Sequence, residues 1–125
     1  MIGLGIDLCQ VARIEKAITA HANFLSRYYT EEEQAYIVQR GKAGAQSAAA
    51  MFAAKEALLK AMGIGLSSGI SLREIGVCHD TNGAPCYKLT GAAADRLRSM
   101  GGGSVFLSLT HEGGMAAAVA IIERA

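Results

Sequence analysis

The stretch Phe52-Ala-Ala-Lys-Glu-Ala-Leu-Leu-Lys-Ala-Met-Gly63 decides the fold. It closes an alanine-rich run that begins near Ala43, in which only Gly44 departs from good helix formers. Alanine and leucine have the best helix propensities, and a glycine stands where a C-terminal cap belongs, so the spacing predicts one long helix from about Ala43 to Met62. Met51, Leu58 and Met62, with Ala54 and Ala61, form a stripe that buries one face. On the opposite face Glu56 and Lys60 are neighbours at helical spacing. Around them lie Ala49, Ala53 and Ala57, too small to cover them. Periodicity alone leaves two readings open. One is a surface ion pair of little energetic weight. The other is a carboxylate and an ammonium held open toward a ligand or a second subunit.

Upstream, residues 2–8 alternate, with Ile2, Leu4, Ile6 and Leu8 on one face and Gly3, Gly5 and Asp7 on the other. Period two predicts a strand, and its glycine face admits another backbone or a ligand. Asp7 on that face is either a solvated strand end or a carboxylate that is paired or binds a metal. Gln10 to Ala20 reads as a helix with Val11, Ile14 and Ile18 inward and Arg13 exposed. Residues 21–29 read as a turn and a short helix. Thr30-Glu-Glu-Glu33 fits a capping box opening a helix to about Gln39. The junction Arg40-Gly-Lys-Ala-Gly44 places basic side chains before a helix N-terminus, a weak phosphate signal.

Downstream, residues 63–69 form a loop. Ile75 to Asp80 and Pro85 to Leu89 are short strands around Asn82-Gly83, the strongest short hairpin signal. Gly91 to Met100 reads as a helix and Ser104 to Thr110 as a strand ending at His111. Met115 to Ile122 is apolar on both faces, which predicts a central strand covered on both sides. Its alanines at 116, 118 and 120 allow a helix to pack closely.

The chain has 125 residues, 51% hydrophobic and 18% charged, with a net charge of +1. That length suits a single domain spanning 1–125, and the composition excludes disorder. So much apolar surface with so few charges suggests burial between subunits. The near-zero charge gives no electrostatic case for nucleic acid. The apolar start is short, lacks a basic leader and reaches Asp7, so it is no secretory signal. No apolar run reaches membrane-spanning length. Cys9, Cys78 and Cys86 lack metal-ligand spacing and read as buried, reduced thiols in a cytoplasmic protein.

Four motifs in order carry a resemblance that runs nearly end to end. They are Gly3-Leu-Gly-Ile-Asp7, then Phe52-Ala-Ala-Lys-Glu-Ala57 with Lys60-Ala61 and Gly63, then Asp80 with Asn82-Gly83-Ala84-Pro85, and Ser108-Leu-Thr-His111 with Ala116-Ala-Ala-Val119. The chain resembles the small trimeric holo-acyl-carrier-protein synthases of the 4′-phosphopantetheinyl transferase superfamily. The resemblance implies an α+β fold in which a small antiparallel sheet packs against a long helix. It implies transfer of the 4′-phosphopantetheine arm of coenzyme A to a serine of apo acyl carrier protein, releasing adenosine 3′,5′-bisphosphate in support of fatty acid biosynthesis. It also implies Mg²⁺ and a homotrimer whose subunits build each site together, with no nucleic-acid or membrane partner.

Residue by residue, Asp7 and Glu56 match the metal carboxylates. Lys60 matches the active-site lysine, which stabilises or protonates the leaving phosphate. The proton of the attacking serine goes to a metal-associated water or to a carboxylate at the metal. Ser108 and His111 match the motif at the nucleotide end of coenzyme A, and Asn82, Gly83 and Pro85 match the second nucleotide-side loop. Without the resemblance, His111 reads as a half-buried strand-end histidine bonded to backbone; the loop reads as an ordinary hairpin turn, which is compatible with the nucleotide role. Lys42 matches a basic phosphate-contacting position. Arg13 and Arg27 match exposed arginines that grip the acidic carrier, a task suited to bidentate guanidinium contacts.

The chain departs from the pattern at Met51, where arginine is common, at Ile64 and Ala84, and at Glu112. These departures bear on coenzyme A contacts and leave the carboxylates and Lys60 intact. Two other readings stay open: a non-catalytic nucleotide- or metal-binding oligomeric module, and a structural oligomer with Glu56 and Lys60 as an interface pair.

Overall fold

The computed structural model describes residues Met1–Ala125. The alternating N-terminus becomes β1, Gly3–Gln10, followed by α1, Val11–Ala20, and α2, Phe24–Tyr28. Helix α3, Glu31–Gln39, opens on the expected capping box: Thr30 Oγ1 accepts from the Glu33 N–H, and Glu33 Oε1 accepts from the Thr30 N–H. A short 3-10 turn leads into the long helix α4, Gly44–Ala61. Gly63 stops it at φ +71°, with its N–H donating to the Lys60 carbonyl and the Ile64 N–H to the Leu59 carbonyl. This is a Schellman closure, which only glycine reaches without strain. The rest comprises the hairpin β2, Ile75–His79, and β3, Pro85–Leu89, then α5, Gly91–Ser99, and the strands β4, Gly102–Glu112, and β5, Met115–Arg124. The fold is α+β, as expected. No helix is long and apolar enough to cross a membrane.

All pairing is antiparallel. The three-stranded sheet has the order β1-β5-β4, and β2-β3 stands apart as a two-stranded ribbon. Helix α4 lies across the inner face of the larger sheet. A Cβ on Gly5 would fall 1.9 Å from the Ala57 carbonyl oxygen, and one on Gly3 would fall 2.3 Å from that of Ala61. These two glycines let the helix backbone reach the strand backbone. Ala53 and Ala57 are fully buried there, together with Ala49, Ala116 and Ala120. The alanine face of α4 is therefore not an open surface around Glu56 and Lys60. It is a seam inside the chain, made by small residues on both sides.

The leucine face of β1 points the other way. Leu4, Ile6 and Leu8 are 57%, 64% and 64% exposed. In register they align with Ile121, Val119 and Ala117 of β5, and those with Phe106, Ser108 and Thr110 of β4. Strand β5 is central, as its sequence implies, but a helix covers only its alanine face. Its other face stays half-exposed.

A feature absent from the sequence reading ties α4 to the hairpin. Lys55 is fully buried, and its Nζ donates to both Glu33 carboxylate oxygens at 2.8 and 3.0 Å and to the carbonyls of Leu72 and Ile75 at 2.9 and 2.7 Å. Glu33 Oε2 also accepts from the Val77 N–H at 2.7 Å. Burial pushes the Lys55 ammonium down from its ordinary value, and the Glu33 carboxylate opposes that. Every polar atom of the pair is satisfied, which is what makes such burial tolerable. Cys9 is buried, but Cys78 and Cys86 are only half-buried and face each other across the hairpin with sulfurs 2.9 Å apart.

Candidate active site

Strand β1 and helix α4 bring Asp7 and Glu56 to one cleft of about 360 Å³. Asp7 arrives because it shares the glycine face of β1, which the helix crosses. Glu56 arrives because Phe52 and Glu56, one helical turn apart, line the same wall. Arg13 of α1 lines the cleft as well, and Ile14, Phe24 and Leu66 supply apolar walls.

Lys60 does not pair with Glu56. Its Nζ donates to Asp7 Oδ1 at 3.0 Å and to the Ile6 carbonyl at 3.1 Å. Glu56 Oε1 is buried and accepts no hydrogen bond. Its carboxyl is pushed above its ordinary value, first by burial and then by the nearby Asp7 charge, with Lys60 pulling the other way. A buried acceptor without a donor costs roughly 1–3 kcal/mol, so the fold carries strain here that packing does not explain.

The donor set suits a hard divalent cation. No third His, Cys, Asp or Glu joins Asp7 and Glu56. Mg²⁺ is commonly held by one or two carboxylates, with phosphate and water oxygens completing its shell. The unpartnered Oε1 is the kind of oxygen such an ion satisfies.

The remaining expected residues lie elsewhere. His111, at the end of β4, lines a second pocket of about 180 Å³ on the other side of α4, and its Nδ1 lies 2.9 Å from Gln46 Nε2. Gln46, Tyr36 and His79 line that pocket too, and none of the three was expected in a site; Arg40, from the basic junction read as a phosphate signal, joins them. Ser108 is exposed on the outer sheet face, beside Val119. Asn82 and Gly83 sit on the exposed hairpin turn, where Asp80 Oδ1 accepts from the N–H groups of Asn82 and Ala84, and half-buried Pro85 opens β3. Lys42 lies in neither pocket but in a shallow groove with Glu15 and Gly41. It precedes Glu56 by fourteen positions, a separation of about 20 Å at helical rise. Arg27 is exposed on α2, over the Tyr28 ring.

The signal for Lys55 was available. It falls in the buried stripe, four after Met51 and three before Leu58. A charged residue in that stripe requires a buried partner, and Glu33 fills the role.

Residues 3–119 match the 4′-phosphopantetheinyl transferase superfamily, and the chain belongs to it. Within that superfamily its likeness is to the holo-[acyl-carrier-protein] synthases. It is 46% identical to the one from Treponema denticola over 98% of both chains. The crystal structure of the Neisseria meningitidis synthase superposes with a TM-score of 0.89 at 34% identity, covering 99% of this chain and 100% of that one. The Bacillus anthracis synthase, solved in complex with coenzyme A (3′,5′-ADP), gives 0.82 at 30% identity over 99% and 97%.

Proposed function

We propose that this protein transfers 4′-phosphopantetheine from coenzyme A to a serine of apo acyl carrier protein in the cytoplasm, releasing adenosine 3′,5′-bisphosphate, and so serves fatty acid biosynthesis. The observation that carries the reading is the meeting of Asp7 and Glu56 in one cleft, with Lys60 bonded to Asp7 and a buried Glu56 oxygen lacking a donor. The coenzyme A bound to the Bacillus anthracis relative supports the same substrate here.

The serine oxygen attacks the phosphorus that bears the pantetheine arm, and the bond from that phosphorus to the bridging oxygen breaks. Magnesium held by Asp7 and Glu56 would neutralise charge on the pyrophosphate and the departing oxygen. Lys60 stabilises the leaving phosphate and can give it a proton. The serine proton goes to a metal-associated water or to a carboxylate of the cleft. Arg13 stands at the cleft mouth, where an acidic carrier approaches. Arg27 extends the basic surface on α2.

The separation of the two pockets supports a shared site. Both flank α4 but have no residue in common. A coenzyme A whose pyrophosphate sits at Asp7 and Glu56 meets His111 of a second copy more readily than His111 across its own helix. The outer sheet face, with Leu4, Ile6, Leu8 and Phe106 exposed, supports a homotrimer that covers it. Obligate interfaces are apolar in this way.

Purified protein, apo carrier, coenzyme A and Mg²⁺ test the reading by mass spectrometry of the carrier. A phosphopantetheine mass increase on one serine is expected. Coenzyme A binding without that increase would select the non-catalytic module instead.

A further inference from the structure

The pocket beside His111 is built for an anion. The chain carries 12 Lys and Arg against 11 Asp and Glu, yet no carboxylate lines this pocket. Arg40 does, and it belongs to none of the ion pairs in the structure. Its guanidinium is carried over the Tyr36 ring at 5.7 Å from the centroid, and that ring stacks on His79 at 5.3 Å. Such stacking orients a guanidinium without using its N–H donors. Opposite, the Gln46 amide donates to His111 Nδ1, which leaves the neutral ring's proton on Nε2 as a donor. Gln46 and Ser47 stand in the first turn of α4, at the positive end of the helix dipole.

Met51 also lines this pocket and is 3% exposed, and a thioether offers a phosphate nothing. Arg40 is the one Lys or Arg among the lining residues. The geometry points to Arg40, rather than Lys42, as the residue that grips the 3′-phosphate of coenzyme A in this protein. This rests on the coenzyme A reading above. The pyrophosphate is committed to the carboxylate cleft and Lys60, so the 3′-phosphate is the anionic group that still needs a partner. Arg40 fits it as an oriented bidentate donor.

The test is calorimetric binding of adenosine 3′,5′-bisphosphate and of adenosine 5′-monophosphate to the full chain. Wild type should prefer the bisphosphate. Arg40→Gln should weaken the bisphosphate about tenfold or more while changing the monophosphate less than twofold, the loss of one charged contact. Arg40→Lys should recover part of the loss. Equal weakening of both nucleotides, unchanged bisphosphate binding in Arg40→Gln, or a selective loss in Lys42→Gln instead would each overturn the assignment. A wild type that binds neither nucleotide would sink the coenzyme A reading itself, a separate result.

Discussion

Glu56 keeps an oxygen buried without a donor, and that oxygen sets stability against function. Glu56→Gln replaces the ionisable group with an amide of the same shape. Without divalent metal, the variant should unfold at higher denaturant than wild type at pH 7, by about 1 kcal/mol, because the amide carries no charge to desolvate. The sign follows from proton uptake. Burial raises the folded carboxyl above its ordinary 4.5, so the folded chain binds more protons than the unfolded one just above that pH. Wild-type stability therefore falls as pH rises through the window, and the advantage of Glu56→Gln grows across it. Transfer activity should be severely reduced, as it should be in Asp7→Asn. Urea titrations at pH 4 and pH 7 beside the transfer assay check both halves. A variant no more stable than wild type at pH 7 would mean that burial does not penalise the Glu56 charge in solution. Lys55 presents the opposite case, a buried charge fully satisfied. Lys55→Met leaves Glu33 uncompensated and should cost about 3–5 kcal/mol. Adding Glu33→Gln should cost less than the sum of the two single changes, because the orphaned charge goes with it. Additivity in that cycle would mean that the pair does not act as a unit.

Among the elements, the helices were legible because their ends carry local chemistry. The Thr30 to Glu33 capping box and the Gly63 stop need no tertiary information, and both stand where the sequence puts them. The strands were legible by period, but not their facing. Period two separates Leu4, Ile6 and Leu8 from Gly3, Gly5 and Asp7, and hydrophobicity alone would bury the leucines. The structure buries the glycines, because α4 presents alanines that pack only against a strand without side chains. That inversion delivers Asp7 to Glu56. Gly5→Ala should therefore be among the most damaging small substitutions in the chain, costing about 3 kcal/mol or more by forcing α4 off the strand. Gly65→Ala, with nothing within 4 Å of the added carbon, should be nearly neutral. Thermal unfolding of the two variants decides this, and a Gly5→Ala protein as stable as wild type would show that the seam can open freely. The site's carboxylates were named from motifs and Arg40 as part of a basic junction, whereas Tyr36, Gln46 and His79 were not named. Those three come from three separated segments, and no period or spacing in the sequence joins them.

The whole molecule leaves its larger sheet covered on one side. Nothing within the chain packs on the row Leu4, Ile121 and Phe106 or the row Ile6, Val119 and Ser108. The carboxylate cleft and the His111 pocket are likewise two halves on opposite sides of one helix. A second copy on the sheet face resolves both, if each site takes Asp7 and Glu56 from one subunit and His111 from the next. Complementation distinguishes this from a site within one chain. Glu56→Gln and His111→Ala proteins, each nearly inactive alone, would be unfolded together and refolded as an equal mixture. A site is intact only when its carboxylate half comes from the His111→Ala chain and its nucleotide half from the Glu56→Gln chain. For random assembly into a closed ring, that occurs at about a quarter of sites. Activity near a quarter of wild type is expected, falling to background when Phe106→Glu in both chains charges the sheet face and leaves monomers by sedimentation. If each chain held a complete site, mixing would recover nothing, because every chain would carry one broken half.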